Sequence, residues 1–236
     1  MNDNLAAVLF ATLFSVMGTG LGGLAGCFGG KSKGMVSAVL GFAAGLMSAI
    51  VCFGLLPEAA EAGGVVTALM GMGAGVAAVW LASQFLPEGE SGLTRTSFLV
   101  LAAIAIHNLP EGLAIGSGWA VMPALGLKLA LVIGLHDFPE GMAITAPMAA
   151  AQGKPPFRQA LLATLTGIPT GVGTLLGLWL GSLSPLWMSM CLGFAAGAML
   201  YVTTGEMVPQ LLRSRGRHKT LWQILGFTAG IIVSWL

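Results

Sequence analysis

Charge is what this sequence has least of. Asp, Glu, Lys and Arg make up 8% of its 236 residues, against about 25% in soluble domains. So few charges cannot cover a surface that faces water on all sides, which excludes a soluble globular protein. The ten basic and nine acidic residues nearly balance, at a formal net charge of +1, so the basic footprint of a nucleic-acid partner is missing. Only three cysteines occur, Cys27, Cys52 and Cys191, all in or beside apolar runs and with no CxxC spacing. They read as packing residues rather than as a disulfide or thiolate metal site. Met1-Asn2-Asp3-Asn4 has no basic stretch, so the first apolar run reads as a spanning segment and not as a cleaved signal peptide. There is no P-loop, hence no sign of ATP-driven work.

What is present is apolar. Hydrophobic residues make up 56% of the chain, with 36 glycines, and the mean hydropathy is +0.89. Glycine is common where membrane helices pack closely. A spanning helix takes about 20 mostly apolar residues. Eight such segments are expected, near 5–27, 35–57, 64–86, 97–121, 126–151, 158–182, 186–211 and 220–236. No connection is long enough to fold separately, so residues 1–236 read as one transmembrane domain, all-α and polytopic. Lys31, Lys33, Arg95, Lys154, Arg158, Arg213, Arg215, Arg217 and Lys219 fall on one side, and Lys128 alone on the other. The positive-inside rule then puts both termini outside a cell membrane, inner or plasma.

Two internal repeats organise the chain. His107-Asn108-Leu109-Pro110-Glu111-Gly112-Leu113-Ala114-Ile115 returns as His136-Asp137-Phe138-Pro139-Glu140-Gly141-Met142-Ala143-Ile144, 29 residues later. The copies fall on the fourth and fifth segments, which run in opposite directions. Gly41-Phe42-Ala43-Ala44-Gly45 returns as Gly193-Phe194-Ala195-Ala196-Gly197, and Leu55-Leu56-Pro57-Glu58 as Met207-Val208-Pro209-Gln210, both at an offset of 152. Those are the second and seventh segments, again opposed. The expected architecture is 3+2+3, with three spans, an inner antiparallel pair and three inverted spans. Inverted repeats around a midplane site mark transporters.

The inner pair carries the chemistry. A charge at the bilayer centre costs about 2.5–3.5 kcal/mol on insertion scales, yet Glu111, Asp137 and Glu140 all fall there. His107 and Glu111 are spaced i,i+4, as are His136 and Glu140, so each pair shares a helix face. Asn108 and Asp137 lie three residues before those glutamates. Two opposed helices therefore converge six nitrogen and oxygen ligands, a set suited to zinc, iron(II) and manganese. Pro110 and Pro139 remove backbone hydrogen bonds beside the site and should kink both helices. No basic residue within the spans neutralises the carboxylates, and a divalent ion would. The bland alternative is a polar network locking two helices together, which two inverted copies with three carboxylates argue against.

The paired His-Asn-Leu-Pro-Glu-Gly and His-Asp-Phe-Pro-Glu-Gly motifs resemble the ZIP (Zrt/Irt-like protein) family of metal transporters. Gly41–Gly45 with Leu56-Pro57-Glu58-Ala59, and the stretch from Gly193 to Pro209, are also similar to family members, so the resemblance covers essentially the whole chain. It implies secondary transport of a divalent metal into the cytoplasm, zinc foremost, with iron, manganese and cadmium as further cargoes and no organic cofactor. It assigns His107, Asn108, Glu111, His136, Asp137 and Glu140 as metal ligands. Met47 matches a position where some members place a methionine near the metal, and Glu206 a recurrent acidic position with a gating or accessory role. One departure stands out. Two-metal members carry a glutamate just before a proline in the sixth span, whereas this chain reads Thr166-Gly167-Ile168-Pro169-Thr170-Gly171. One well-formed site, or a weakened second one, is expected.

The rival class is a membrane-embedded metal-dependent hydrolase, which would also use a His/Glu site. No HExxH is present, and inverted symmetry has no evident use in hydrolysis. Gly18/Gly22/Gly26 and Gly173/Gly177/Gly181 form small-xxx-small stripes that serve close packing, within one chain or in a homodimer. The partners expected are the metal ion and the lipid bilayer.

Overall fold

The computed structural model describes residues 3–29, 33–84, 92–152, 156–180, 184–213 and 218–235, and those residues are helical apart from short turns. In chain order they form α1 (Asp3–Gly29), α2 (Lys33–Ile50), α3 (Leu56–Gly63), α4 (Val65–Gln84), α5 (Gly92–Val121), α6 (Pro123–Gln152), α7 (Pro156–Leu165), α8 (Ile168–Leu180), α9 (Pro185–Val202), α10 (Val208–Arg213) and α11 (Lys219–Trp235). Helix is what an apolar chain adopts when lipid offers no hydrogen bonds to its backbone. Glycine and proline set the ends. Gly64, at φ +86°, closes α3 with its N–H on the Ala60 carbonyl at 2.9 Å. Pro185 opens α9, where the Ser184 hydroxyl accepts from the Leu186 N–H at 3.1 Å.

Two π-helical turns interrupt this pattern, Val51–Leu55 between α2 and α3 and Thr203–Met207 between α9 and α10. Each sits just before a proline, Pro57 and Pro209. A proline cannot donate to the carbonyl four residues back and its ring crowds that carbonyl. Widening the preceding turn relieves the conflict. Both turns start 152 residues apart, the offset of the longer repeat. Pro110 and Pro139 behave differently, lying inside the uninterrupted helices α5 and α6.

The helices pack in pairs. α1 lies along α6, α5 along α8, α2 along α11 and α4 along α9. Glycine makes these approaches so close that a Cβ would strike the opposing backbone. At Gly22 it would meet the Phe138 carbonyl, at Gly173 that of Leu109, at Gly45 that of Gln223 and at Gly197 that of Met72. The Gly18/Gly22/Gly26 stripe is thus the seat of α1 on α6. Gly173 and Gly177 seat α8 on α5, and Gly181 lies outside the described residues. Both stripes serve packing within one chain.

The surface is the inverse of a soluble protein's. Leu5, Leu9 and Leu13 of α1, Leu69 and Met70 of α4, Leu175 of α8 and Ile224 of α11 are exposed, while Asp137 and Glu140 are fully buried. Exposed Trp80, Trp179, Trp187, Trp222 and Trp235 all fall near helix ends, the depth at which tryptophan meets lipid headgroups. Among the described residues, five stretches are long and apolar enough to cross a membrane: Asp3–Phe28, Gly34–Gly63, Val65–Gln84, Phe157–Leu180 and Pro185–Arg213.

Candidate metal centre

α5 and α6 form a hairpin that turns at Met122, whose N–H bonds the Gly118 carbonyl at 2.8 Å and whose carbonyl accepts from Leu125 at 2.9 Å. Glu111 lies eleven residues before that turn and His136 fourteen after it. Near-equal distance from the turn brings the two side chains face to face. The His136 Nε2–H donates to Glu111 Oε1 at 3.0 Å. Asp137 Oδ1 lies 3.7 Å from the same nitrogen and Glu140 Oε1 4.0 Å from it. One ligand atom from each of Glu111, His136 and Asp137 falls within 4.8 Å of the others. These three residues and Glu140 are at most 2% exposed.

The remaining residues marked by the sequence fall in different places. Asn108, fully buried, donates its amide to the Thr166 carbonyl at 2.7 Å, across to the turn between α7 and α8. Its Oδ1 has no hydrogen-bond partner among the described residues, and neither does His136 Nδ1. The side chain of His107 lies outside the described residues, although its backbone continues α5. Met47 is fully buried in the apolar core with Ile104, Ile144 and Met199, and its Sδ accepts from the Thr203 hydroxyl at 3.9 Å. Glu206 sits half-buried in the second π turn. Neither belongs to the group within 4.8 Å.

Neighbouring helices hold the group in place. Thr145 of α6 donates to the Gly23 carbonyl of α1 at 2.8 Å and to that of Gly141 at 3.0 Å. Ser15 of α1 pairs with Thr170 of α8 at 2.9 Å. A Cβ at Gly18 would stand 2.8 Å from Asp137 Cβ, so α1 runs directly over the ligand helix. Thr170 falls in the stretch where an acid was found missing, and it is taken up by Ser15. Sequence reasoning did not mark Ser15, although its spacing of i, i+3 and i+7 with Gly18 and Gly22 puts it on that face.

Electrostatics narrows what the group can do. Three buried carboxylates surround one imidazole, and no Lys or Arg is buried among the described residues. Buried charge without compensation is strongly unfavourable. A divalent cation compensates it and binds oxygen and imidazole nitrogen together. A metal bound at His136 Nε2 would replace its hydrogen bond with Glu111. A cleft of about 80 Å³ reaches this group. Buried Glu111 and His136 form its floor and exposed Glu58 and Lys128 its rim, with Ile50, Leu129 and Leu192 among its walls.

These features define a helical membrane protein with a carboxylate–imidazole centre able to hold a divalent metal. The chain belongs to the ZIP family: the profile described as Zip, ZIP Zinc transporter, matches residues 87–236. It is 31% identical over 265 aligned residues to "Zinc transporter ZupT" of Chlorobium chlorochromatii (strain CaD3), covering 99% of this chain and 97% of that one. It is 31% identical to "Zinc transporter ZupT" of Escherichia coli O127:H6, covering 87% and 86%. "Zinc transporter GufA" of Myxococcus xanthus is 42% identical over 149 residues, or 62% of this chain, which spans 58% of that relative's length. The family is one of transporters and not of enzymes, and with the apolar helices it makes this chain a multi-pass membrane protein.

Proposed function

We propose that the chain carries a divalent transition metal, zinc foremost, with iron(II), manganese or cadmium as alternative cargoes, into the cytoplasm through a site between α5 and α6. The observation that carries this reading is the buried group of Glu111, His136 and Asp137, joined by Glu140. Asn108 adds an amide oxygen, His107 a second imidazole, and Met47 and Glu206 act as accessory positions along the path. The chain is then a single domain of eight spans in a 3+2+3 inverted arrangement, in an inner or plasma membrane with both termini outside.

The pairing of helices supports that arrangement. Inverting the two repeats exchanges the α1·α6 pair with α5·α8, and α2·α11 with α4·α9, and these are the four most extensive pairings among the described helices. The matched π turns support it too. In such a frame the pair carrying the metal moves against the helices around α2 and α9, exposing the site to one side at a time. A membrane potential of about 100 mV contributes about 4.6 kcal/mol to a divalent ion moving inward, so no ATP is needed. The monomer accounts for the glycine stripes, and a homodimer would use other surfaces.

The test is uptake of zinc, iron(II), manganese and cadmium into proteoliposomes by wild type and His136→Ala. Saturable uptake that the substitution abolishes is the expected result. Uptake that survives it would remove the assigned site from the transport path.

A further inference from the structure

We infer that Lys128 lowers the cation affinity of the metal centre, acting as a fixed positive charge at the rim of the cleft that leads to it. The inference rests on reading Glu111 and His136 as metal ligands. Lys128 is the one Lys or Arg among the residues lining the cleft, whose carboxylates are those of Glu58 and Glu111. Lys128 is exposed, and none of the described carboxylates lies within 4.0 Å of its ammonium, so no ion pair cancels it. Glu58 stands within electrostatic reach of it and so does Glu61 of Glu58.

The placement has a physical consequence. Lys128 and His136 lie on the same helix, eight residues or about 12 Å apart. The walls between them are Leu129, Val132, Ile133, Ile50 and Leu192, and low-dielectric walls focus a field along a cleft instead of spreading it. The Lys128 charge therefore opposes a cation bound at the floor, a divalent ion about twice as strongly as a monovalent one. A transition-metal ion recovers the loss in coordination bonds at the floor. Glu58, beside the ammonium, offsets part of its charge. The two rim charges thus act in opposite senses on the same bound ion, and Lys128 is the one that lowers its affinity.

Equilibrium zinc binding to the purified full chain in detergent tests this without requiring transport. At about 10 mM potassium nitrate, Lys128→Gln should tighten the zinc Kd roughly three- to tenfold, the scale of a monovalent–divalent repulsion across a half-wetted cleft. Glu58→Gln should weaken it by a similar factor. Lys128→Arg should bind like wild type, and the exchange Glu58→Lys with Lys128→Glu should return close to it. At about 1 M potassium nitrate, where screening acts over roughly 3 Å, the differences should fall below twofold. An unchanged Kd for Lys128→Gln at low salt, or a change that persists at 1 M, overturns the inference. His136→Ala in the same titration keeps the two readings apart. Zinc binding that survives it refutes the metal site itself, whereas loss of binding there with an unmoved Lys128→Gln refutes only the role of Lys128.

Discussion

Replacing Gly22 by alanine adds one methyl group at the seat of α1 on α6, and the structure says where it goes. The new Cβ would meet the Phe138 carbonyl oxygen, with the carbonyl carbon at 2.8 Å and Cα at 3.0 Å. All three atoms are backbone, so no rotamer change removes the conflict. Restoring carbon–carbon contacts to about 3.5–4.0 Å requires α1 to retreat by about 1 Å. Phe138 follows Asp137 in sequence, and α1 also runs over Asp137 at Gly18. A binding constellation tolerates about 0.5 Å of displacement. Changes to the groups that orient metal ligands cost 10–100-fold in affinity, or about 1.4–2.8 kcal/mol. Overpacking should also lower stability by about 1–3 kcal/mol. The comparison is Gly73→Ala on α4, where a Cβ meets nothing within 4 Å and helix propensity favours alanine by up to about 1 kcal/mol. Competition with a zinc chelator reads the affinity and thermal melting reads the fold. If Gly22→Ala binds zinc and melts like Gly73→Ala, the α1 backbone does not hold the centre and the packing argument fails.

Other predictions follow from the same geometry. His136→Ala removes the donor held 3.0 Å from Glu111 and leaves an excess of buried negative charge, which should lower stability by about 3–5 kcal/mol as well as abolish zinc binding; a melting temperature equal to wild type would contradict the pairing. Asn108→Ala breaks the 2.7 Å bond to Thr166 and should cost about 1–3 kcal/mol, measured by thermal or chemical unfolding and weakened further in zinc affinity. Native mass spectrometry of the zinc-loaded chain should find one tightly held ion per monomer, because the stretch Thr166–Gly171 carries no acid and its Thr170 hydroxyl is taken up by Ser15; two ions of equal affinity would refute that. Binding needs a neutral imidazole and ionised carboxylates, so zinc uptake should fall as pH drops from about 8 to about 5, and a flat profile would argue against these ligands.

Much of the centre was legible because it rests on local rules. The i,i+4 spacing of His136 and Glu140 puts both on one helix face whatever surrounds the helix. Scarce charge and apolar runs of span length exclude water on all sides, and lipid then leaves helix as the available backbone form. The repeat offsets of 29 and 152 point to an inverted plan from the sequence alone. Proline before a widened turn was readable in part: Pro57 and Pro209 were marked as repeated positions, while the π turns ahead of them were not.

What required the tertiary structure is every relation between helices. Sequence spacing cannot say that His136 donates to Glu111 on the other arm of the hairpin, because that depends on how the turn at Met122 sets the two helices in register. It could not tell Met47 as a ligand from Met47 as core, and in the fold its sulfur meets Thr203 among apolar side chains. The Gly18/Gly22/Gly26 stripe was equally suited to a dimer, until α6 proved to lie against it. Glu58 and Lys128 are 70 residues apart and carried no joint signal, yet they share one cleft rim. Composition and periodicity act along one helix, so the sequence alone determined the class of protein and its candidate ligand set. The direction each side chain takes is settled by close packing with helices distant in the chain, and only the tertiary structure decided which of those residues meet.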